Sequence, residues 1–508
     1  MRPQNLTPTD SVGSIAGEES PGSIGADGDV LDSAVATGLL VRGGVLRFAG
    51  YGAQVALSVA AAAVLTRHLG VARFGQYTTV MSLVALIAAV TDAGMSSIGT
   101  REYAVLSGSE RDAMMRDLLG LRVVLTLVGV LLATAFAVIA GYDDPLLLGT
   151  IAASLATIPL VFQHTLAIPL TTDLRLGALS ALELTRQVVS VGAIIVLARL
   201  GAGVLPLLAV PLLANLALIP PTVRLVRDRI SPRLVLRPAR WPPLLMATLV
   251  FSLATAVGTI YIYTAQILTS LVTSRQESGL FAVSFRVFVV SAVVPGMLAA
   301  AALPVLSRAA RDDADRLAYG LQRMFEVALI GGVGAALVLS AGSGFVVAVI
   351  AGPRYAGSAA VLSIQAFALI ASSLVACWSF GLLALRLHRG LLAANAAAMV
   401  VSVVATLVLA SRDGAQGAAV ATLCGESTLA AAALIALVWH RPHYRPGASV
   451  VIKVAVAAVP AAVLATVPNM PSVIRAIVAA STYAAVILAT RALPSELHQL
   501  IPAPRMRR

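Results

Sequence analysis

Eight ionisable side chains lie inside long apolar runs of this chain: Arg47, Asp92, Arg122, His164, Glu183, Arg186, Arg286 and Glu426. A charge at bilayer depth is costly unless paired or hydrated, so each of these marks a cavity, a pathway or a partner. Arginine grips phosphate through two parallel N–H bonds and stays charged at any working pH. Arg47, Arg122 and Arg286 are therefore candidate ligands for an anionic, diphosphate-bearing substrate. Arg47 and Arg122 sit about one turn from a helix end, where snorkelling to headgroups is the competing role. Arg286, flanked by Phe285 and Phe288, lies about two turns in, which favours a cavity.

The acids divide into two kinds. Glu183 and Arg186 are spaced i, i+3 on one helical face and read as a structural pair that neutralises itself. Asp92 and Glu426 have no local partner and suit proton or sodium coupling, with a helix-end role as the alternative for Asp92. His164 joins them as a candidate proton relay, against a plain hydrogen bond to a neighbouring helix. Tyr261 and Tyr263 share one apolar run and are candidates for stacking on sugar rings, against packing or an interfacial belt.

Bond-making chemistry finds little to work with. The only lysine is Lys453, followed by Val454, so no GxxxxGK[ST] phosphate loop exists. Cys377 and Cys424 lie in apolar stretches and behave as small hydrophobes. Asp143-Asp144-Pro145 reads as a polar turn closed by proline. Asp312-Asp313-Ala314-Asp315 is interleaved with Arg308, Arg311 and Arg316, and no second aspartate cluster completes a metal site. The expectation is a protein that is not an enzyme and takes no metal and no cofactor.

These side chains need helices to hold them. Of 508 residues 58% are hydrophobic and 12% charged, against about 25% charged in a soluble domain, and the mean hydropathy is +0.91. Runs long enough to cross a hydrocarbon core of about 30 Å recur along the chain. Fourteen spans are expected, near 43–65, 75–98, 118–140, 146–169, 177–198, 203–223, 243–270, 280–303, 323–350, 359–384, 391–410, 415–438, 450–467 and 473–490. The net charge of +12 resides between the runs, so membrane topology explains it and a nucleic-acid partner is not expected. With the amino terminus inside, 26 basic residues fall on cytoplasmic segments and 7 on outside ones. Both termini are then cytoplasmic. Residues 1–37 carry six acids among many Ser, Gly and Pro, with no apolar leader, and read as a disordered tail.

An internal repeat relates spans one and two to spans seven and eight. Val64-Leu65-Thr66, Gly75-Gln76-Tyr77 and Asp92-Ala93-Gly94-Met95 align with Ile267-Leu268-Thr269, Gly279-Leu280-Phe281 and Val294-Pro295-Gly296-Met297, at offsets of 202 to 204 residues. A second echo pairs Arg199-Leu200-Gly201-Ala202 with Arg412-Asp413-Gly414-Ala415. Six spans separate the copies, so they run parallel about an axis along the membrane normal. The expected fold is all-α: two parallel, pseudo-symmetric six-helix lobes plus two carboxy-terminal helices. The expected boundaries are a tail at 1–37, an N-lobe at 38–228, a C-lobe at 229–440, spans thirteen and fourteen at 441–491 and a basic cytoplasmic tail at 492–508.

Arg67-His68-Leu69-Gly70-Val71-Ala72-Arg73-Phe74-Gly75-Gln76-Tyr77, followed by Thr91-Asp92-Ala93-Gly94 and Arg101, resembles the signature of Wzx-type polysaccharide-biosynthesis flippases. These belong to the multidrug/oligosaccharidyl-lipid/polysaccharide exporter superfamily. Pro304-Val305-Leu306-Ser307-Arg308, Gly352-Pro353-Arg354-Tyr355-Ala356 and Gly414-Ala415-Gln416-Gly417-Ala418-Ala419 leading to Glu426 are similar to later parts of the same family. Gln266 stands where many relatives carry an acid. The resemblance implies a flippase of the inner or plasma membrane. It would carry a polyprenyl-diphosphate-linked oligosaccharide or polysaccharide precursor across by alternating access, with membrane lipids and cell-envelope polysaccharide synthesis enzymes as partners. A drug or cation antiporter of the same superfamily is the alternative, and a membrane glycosyltransferase the third.

Overall fold

The computed structural model describes residues 34–92, 95–173, 175–227, 235, 237–238, 241–242, 249–441, 444, 446–467 and 470–492. Most of the expected acidic tail, residues 1–33, and nearly all of the basic one, residues 493–508, lie outside the described residues.

Among the described residues the regular elements are helical, and eleven stretches are long and apolar enough to cross a membrane. The first half of the chain supplies α1 (Ala34–Asp92), α2 (Met95–Val105), α3 (Gly108–Ile139), α4 (Asp144–Leu155), α5 (Thr157–Leu166), α6 (Ile168–Thr172), α7 (Leu176–Arg199) and α8 (Val204–Val226). The second supplies α9 (Leu249–Val272), α10 (Arg275–Asp312), α11 (Ala314–Ala341), α12 (Ser343–Ile350), α13 (Gly357–Gln365), α14 (Ala368–Ala384), α15 (His388–Ala405) and α16 (Ser411–His440). Then come α17 (Ala448–Ala465) and α18 (Ser472–Ala489). These last two pack on α11, where the Tyr483 hydroxyl donates to the Ile330 carbonyl at 2.9 Å.

Two of the long stretches are broken by glycine. In α1 the backbone leaves the helix at Gly70, with φ 71°. In α16 it does so at Gly414, with φ 56°, and Gly201 between α7 and α8 has φ 70°. L-residues with a Cβ resist this left-handed region, so glycine is what lets the chain reverse within a few residues. The second part of α16 begins under a carboxylate: the Ala415 N–H donates to Glu277 at 2.9 Å, satisfying one of the orphan amides of a helix start.

Several boundaries depart from the apolar pattern because polar caps, which hydropathy does not register, set them. α10 starts at Arg275 rather than near 280, since Ser274 accepts from the Glu277 N–H at 3.2 Å. α11 starts at Ala314 rather than 323, since Asp313 accepts from the Arg316 N–H at 2.9 Å. Asp313, one of the carboxylates considered for a metal site, is thus a helix cap. The expected spans 146–169, 323–350 and 359–384 are each interrupted, near Ala156, Gly342 and Ala366.

The two halves meet most closely through glycine. A Cβ added to Gly279 would lie 2.1 Å from the Val71 carbonyl oxygen, and one added to Gly75 would lie 2.8 Å from the Gly279 nitrogen. Both obstacles are backbone, so neither position admits a side chain without the helices separating.

Candidate functional site

The contact at Gly75 and Gly279 is one of several between the halves. Thr66 donates to the Ile350 carbonyl at 3.1 Å and Arg67 to the Val349 carbonyl at 3.0 Å. The Tyr355 hydroxyl donates to the Thr66 carbonyl at 3.3 Å, and the Tyr355 ring meets Phe74 edge to face. Arg275 approaches Asp143 at 3.9 Å, with both side chains exposed. All of these join the first half to the second at the Gly75 end of the bundle.

Further along, one polar bridge crosses between the halves. Arg286 of α10 donates to the Ser58 hydroxyl of α1 at 2.5 Å. It stands eleven residues into the 38-residue α10, about 16 Å along its axis. Its guanidinium is exposed, and its charge reaches Tyr77 of α1 and Tyr263 of α9. Among the described residues Arg286 has no carboxylate within ion-pair distance. A cation so placed, with hydroxyls around it and donors to spare, is equipped to take an anion.

The other arginines differ. Arg122 is 1% exposed and ion-paired to Asp92. Asp92 also accepts from the Ser96 hydroxyl at 2.6 Å. Asp92, expected to be without a local partner, therefore has two: Ser96, four residues on in α2, and Arg122, which α3 brings across. Nε and Nη1 of Arg122 have no hydrogen-bond partner among the described residues. Arg47 lies in α1, and its side chain is outside the described ones.

Glu426 also has neighbours that its sequence context hides. The Tyr261 hydroxyl of α9 donates to its Oε1 at 3.0 Å, and Ser372 of α14 hydrogen-bonds to it as well. Tyr261 is 5% exposed, so its ring is packed rather than presented to a cavity. Tyr263, two residues on, is half-buried. Gln266 is buried and bonds the Ser278 hydroxyl at 3.3 Å.

Glu183 and Arg186 form an ion pair along α7. His164 of α5 approaches the same carboxylate, with Nε2 3.7 Å from Oε1. Beside them is a cavity of about 300 Å³ between α2, α5, α6 and α7. Gln163 and Thr100, which sequence reasoning passed over, line it. Their only signal was polarity in an apolar run, shared with many threonines that merely bond back to their own helix, as Thr126 and Thr150 do. Among the described residues no group of three or more His, Cys, Asp or Glu side chains converges as a metal site would.

Known proteins bear on this arrangement. Residues 64–360 match the model of a family described as "Polysaccharide biosynthesis protein". Comparison with curated proteins gave no match. Among solved structures, the lipid II flippase MurJ in an inward closed conformation is similar with a TM-score of 0.71 and 13% identity, over 89% of this chain and 99% of that one. An inward-facing multidrug resistance MATE family transporter of the MOP superfamily is similar with a TM-score of 0.60 and 14% identity, over 77% and 94%. A MOP superfamily transporter from Pyrococcus furiosus, described as having a binding pocket of reversed polarity, follows with a TM-score of 0.56 and 14% identity, over 80% and 95%. At these identities the likeness is one of fold: a multi-pass flippase and transporter fold, not that of an enzyme.

Proposed function

The chain belongs to the polysaccharide biosynthesis protein family, and from that premise we propose that it flips a polyprenyl-diphosphate-linked oligosaccharide or polysaccharide precursor across the cytoplasmic membrane. The observation that carries this reading is Arg286: an exposed cation of α10, bonded to a hydroxyl of the other half and with no carboxylate within ion-pair distance among the described residues. An anionic headgroup dragged through a membrane needs such a counter-charge, and a diphosphate takes arginine bidentately. Arg47, eleven residues or about three turns before Ser58 on α1, is a second basic position along the same route. Tyr263 beside Arg286 offers an aromatic face to a sugar.

In this reading the two halves are lobes, 38–228 and 229–440, with 441–491 as two further helices. The eleven spans support fourteen crossings when the breaks at Gly70 and Gly414 each divide a stretch in two and α9 is added. The Gly75 end faces outward and is closed, and the Asp92 end faces the cytoplasm, as do both termini. Alternating access then consists of parting Gly75 from Gly279 while the opposite end closes. Glu426 is the candidate for coupling to a proton or sodium gradient; Asp92 and His164, the other candidates, are engaged with Arg122 and Glu183. Polysaccharide synthesis enzymes supply the lipid-linked substrate.

Deleting the gene leaves synthesis of the lipid-linked precursor intact and strands it on the cytoplasmic leaflet, so the intermediate accumulates while surface polysaccharide falls. Loss of precursor synthesis itself would point to a glycosyltransferase. Unchanged surface glycan with new sensitivity to cationic drugs would point to an antiporter, which the buried Glu426 and Tyr261 also suit. Reporter fusions after Gly141 and Pro468 read outside, and fusions after Arg237 and at Arg508 read cytoplasmic. An outside signal at Arg508 would break the fourteen-crossing topology.

A further inference from the structure

The cavity between α2, α5, α6 and α7 lies inside the amino-terminal half, apart from Arg286, and its chemistry is unlike that of a phosphate site. Its polar wall is made by Ser96, Thr100, Gln163, His164, Thr171 and Glu183, and its volume is about 300 Å³. No arginine or lysine is among the residues that line it, and Arg122 and Arg186 are engaged with Asp92 and Glu183. The wall therefore lacks the main attraction for a diphosphate. The negative charge is neutralised by the same pairs, which removes the main attraction for a metal ion or an organic cation.

Hydrogen-bond acceptors remain. Ser96 gives its hydroxyl proton to Asp92, Thr100 to the Ser96 carbonyl at 2.9 Å, and Thr171 to the Ala167 carbonyl at 3.5 Å. A hydroxyl has one proton and two lone pairs, so each of these side chains is left as an acceptor. Gln163 is 3% exposed, and its Oε1 has no hydrogen-bond partner among the described residues. A buried acceptor without a donor is unfavourable by about 1–3 kcal/mol until something supplies one. Ile168 and Leu179 complete the wall with apolar surface.

We propose that this cavity is a sugar subsite: it takes one neutral, hydroxyl-rich ring of the glycan, whose O–H and amide N–H groups donate to Gln163, Thr100, Ser96 and Glu183 while its C–H face lies on Leu179 and Ile168. The volume, at the lower end for a small-molecule pocket, suits a single ring. The proposal rests on the flippase reading and adds to it where glycan identity is read. Diphosphate recognition at Arg286 is common to all such lipids, and discrimination among sugars belongs to this pocket.

The test uses the full-length protein in detergent and water-soluble short-chain analogues: citronellyl diphosphate alone, and citronellyl diphosphate bearing N-acetylglucosamine, glucose, galactose or mannose. Titration calorimetry shows at least one sugar-bearing analogue binding about tenfold more tightly than the bare diphosphate, the equivalent of one or two new hydrogen bonds. Gln163→Ala and the near-isosteric Thr100→Val each reduce that advantage, and Leu179→Trp, which fills the cavity, removes it. Unchanged thermal melting identifies folded variants, and the three substitutions on different helices keep the test decisive if one fails to fold. Equal affinity for bare and sugar-bearing analogues in the wild type overturns the sugar subsite and leaves the flippase reading standing. An advantage that survives all three folded variants also overturns it. Binding of no analogue at all overturns both.

Discussion

Two acids, one in each half of the molecule, are held in opposite ways. In the first half Asp92 is paired with an arginine, Arg122. In the second, Glu426 is 6% exposed and held by Tyr261 and Ser372, both neutral hydroxyl donors. Halves that meet at Gly75 and Gly279 thus carry different electrostatics around these two acids. A buried ion pair is fixed in its charge state, since removing either partner strands the other. A carboxylate among hydroxyls keeps hydrogen bonds whether it is charged or neutral, and so is free to change state. The Asp92–Arg122 pair suits a fixed role, and Glu426 one that responds.

The largest expected effect lies where the halves touch. Gly279→Ala drives a Cβ into the Val71 carbonyl and Gly75→Ala drives one into the Gly279 backbone, with the shorter approach at Gly279. Overpacking of this kind destabilises the sealed arrangement by about 1–3 kcal/mol, or roughly a tenfold shift in population for each 1.4 kcal/mol. Transport assays in vesicles should show loss in both, greater for Gly279. A Thr66→Cys reporter, in a background lacking Cys377 and Cys424, should become reactive to an impermeant thiol reagent. A reporter thiol that stays unreactive while transport remains normal would mean that the glycine contact is not the seal.

Next in size is a direct contrast between the acids. Asp92→Asn leaves the Arg122 charge buried and uncompensated, and should lower stability by about 3 kcal/mol in thermal melts. Replacing both by leucine should recover much of that. Glu426→Gln keeps neutral hydrogen bonds and should change stability by less than about 1 kcal/mol, while uncoupling transport from an imposed ion gradient. A larger melting shift for Glu426→Gln than for Asp92→Asn would reverse the contrast.

For the substrate arginine the contrast is between charge and geometry. Arg286→Lys keeps the charge and loses the two-pronged grip, so transport should fall while expression holds; Arg286→Ala should abolish it. Wild-type transport by the alanine variant would remove Arg286 from the site. The smallest effect belongs to the half-exposed pair on α7: Glu183→Gln should lower stability by about 0.5 kcal/mol. A shift several times larger would mean that this pair is as buried in the membrane as Arg122.

Much of the fold follows from local chemistry. Apolar runs become helices because in lipid every backbone polar group must be satisfied within its own segment, and no distant contact is needed to decide it. Glycines that turn the chain, Gly70, Gly201 and Gly414, act through their own φ. The i, i+3 spacing of Glu183 and Arg186 fixes their pairing before any tertiary contact forms.

What the sequence leaves open is whatever depends on residues far apart in the chain. Asp92 and Arg122 are 30 residues apart, and Tyr261 and Glu426 are 165 apart. Composition alone cannot say that one acid acquires an arginine and the other a phenol. The cavity has the same origin: Thr100, Gln163 and Glu183 lie on three different elements. Secondary structure is set by free energies that each segment satisfies alone, whereas partners and cavities are set by which helices end up adjacent, and only tertiary packing decides that.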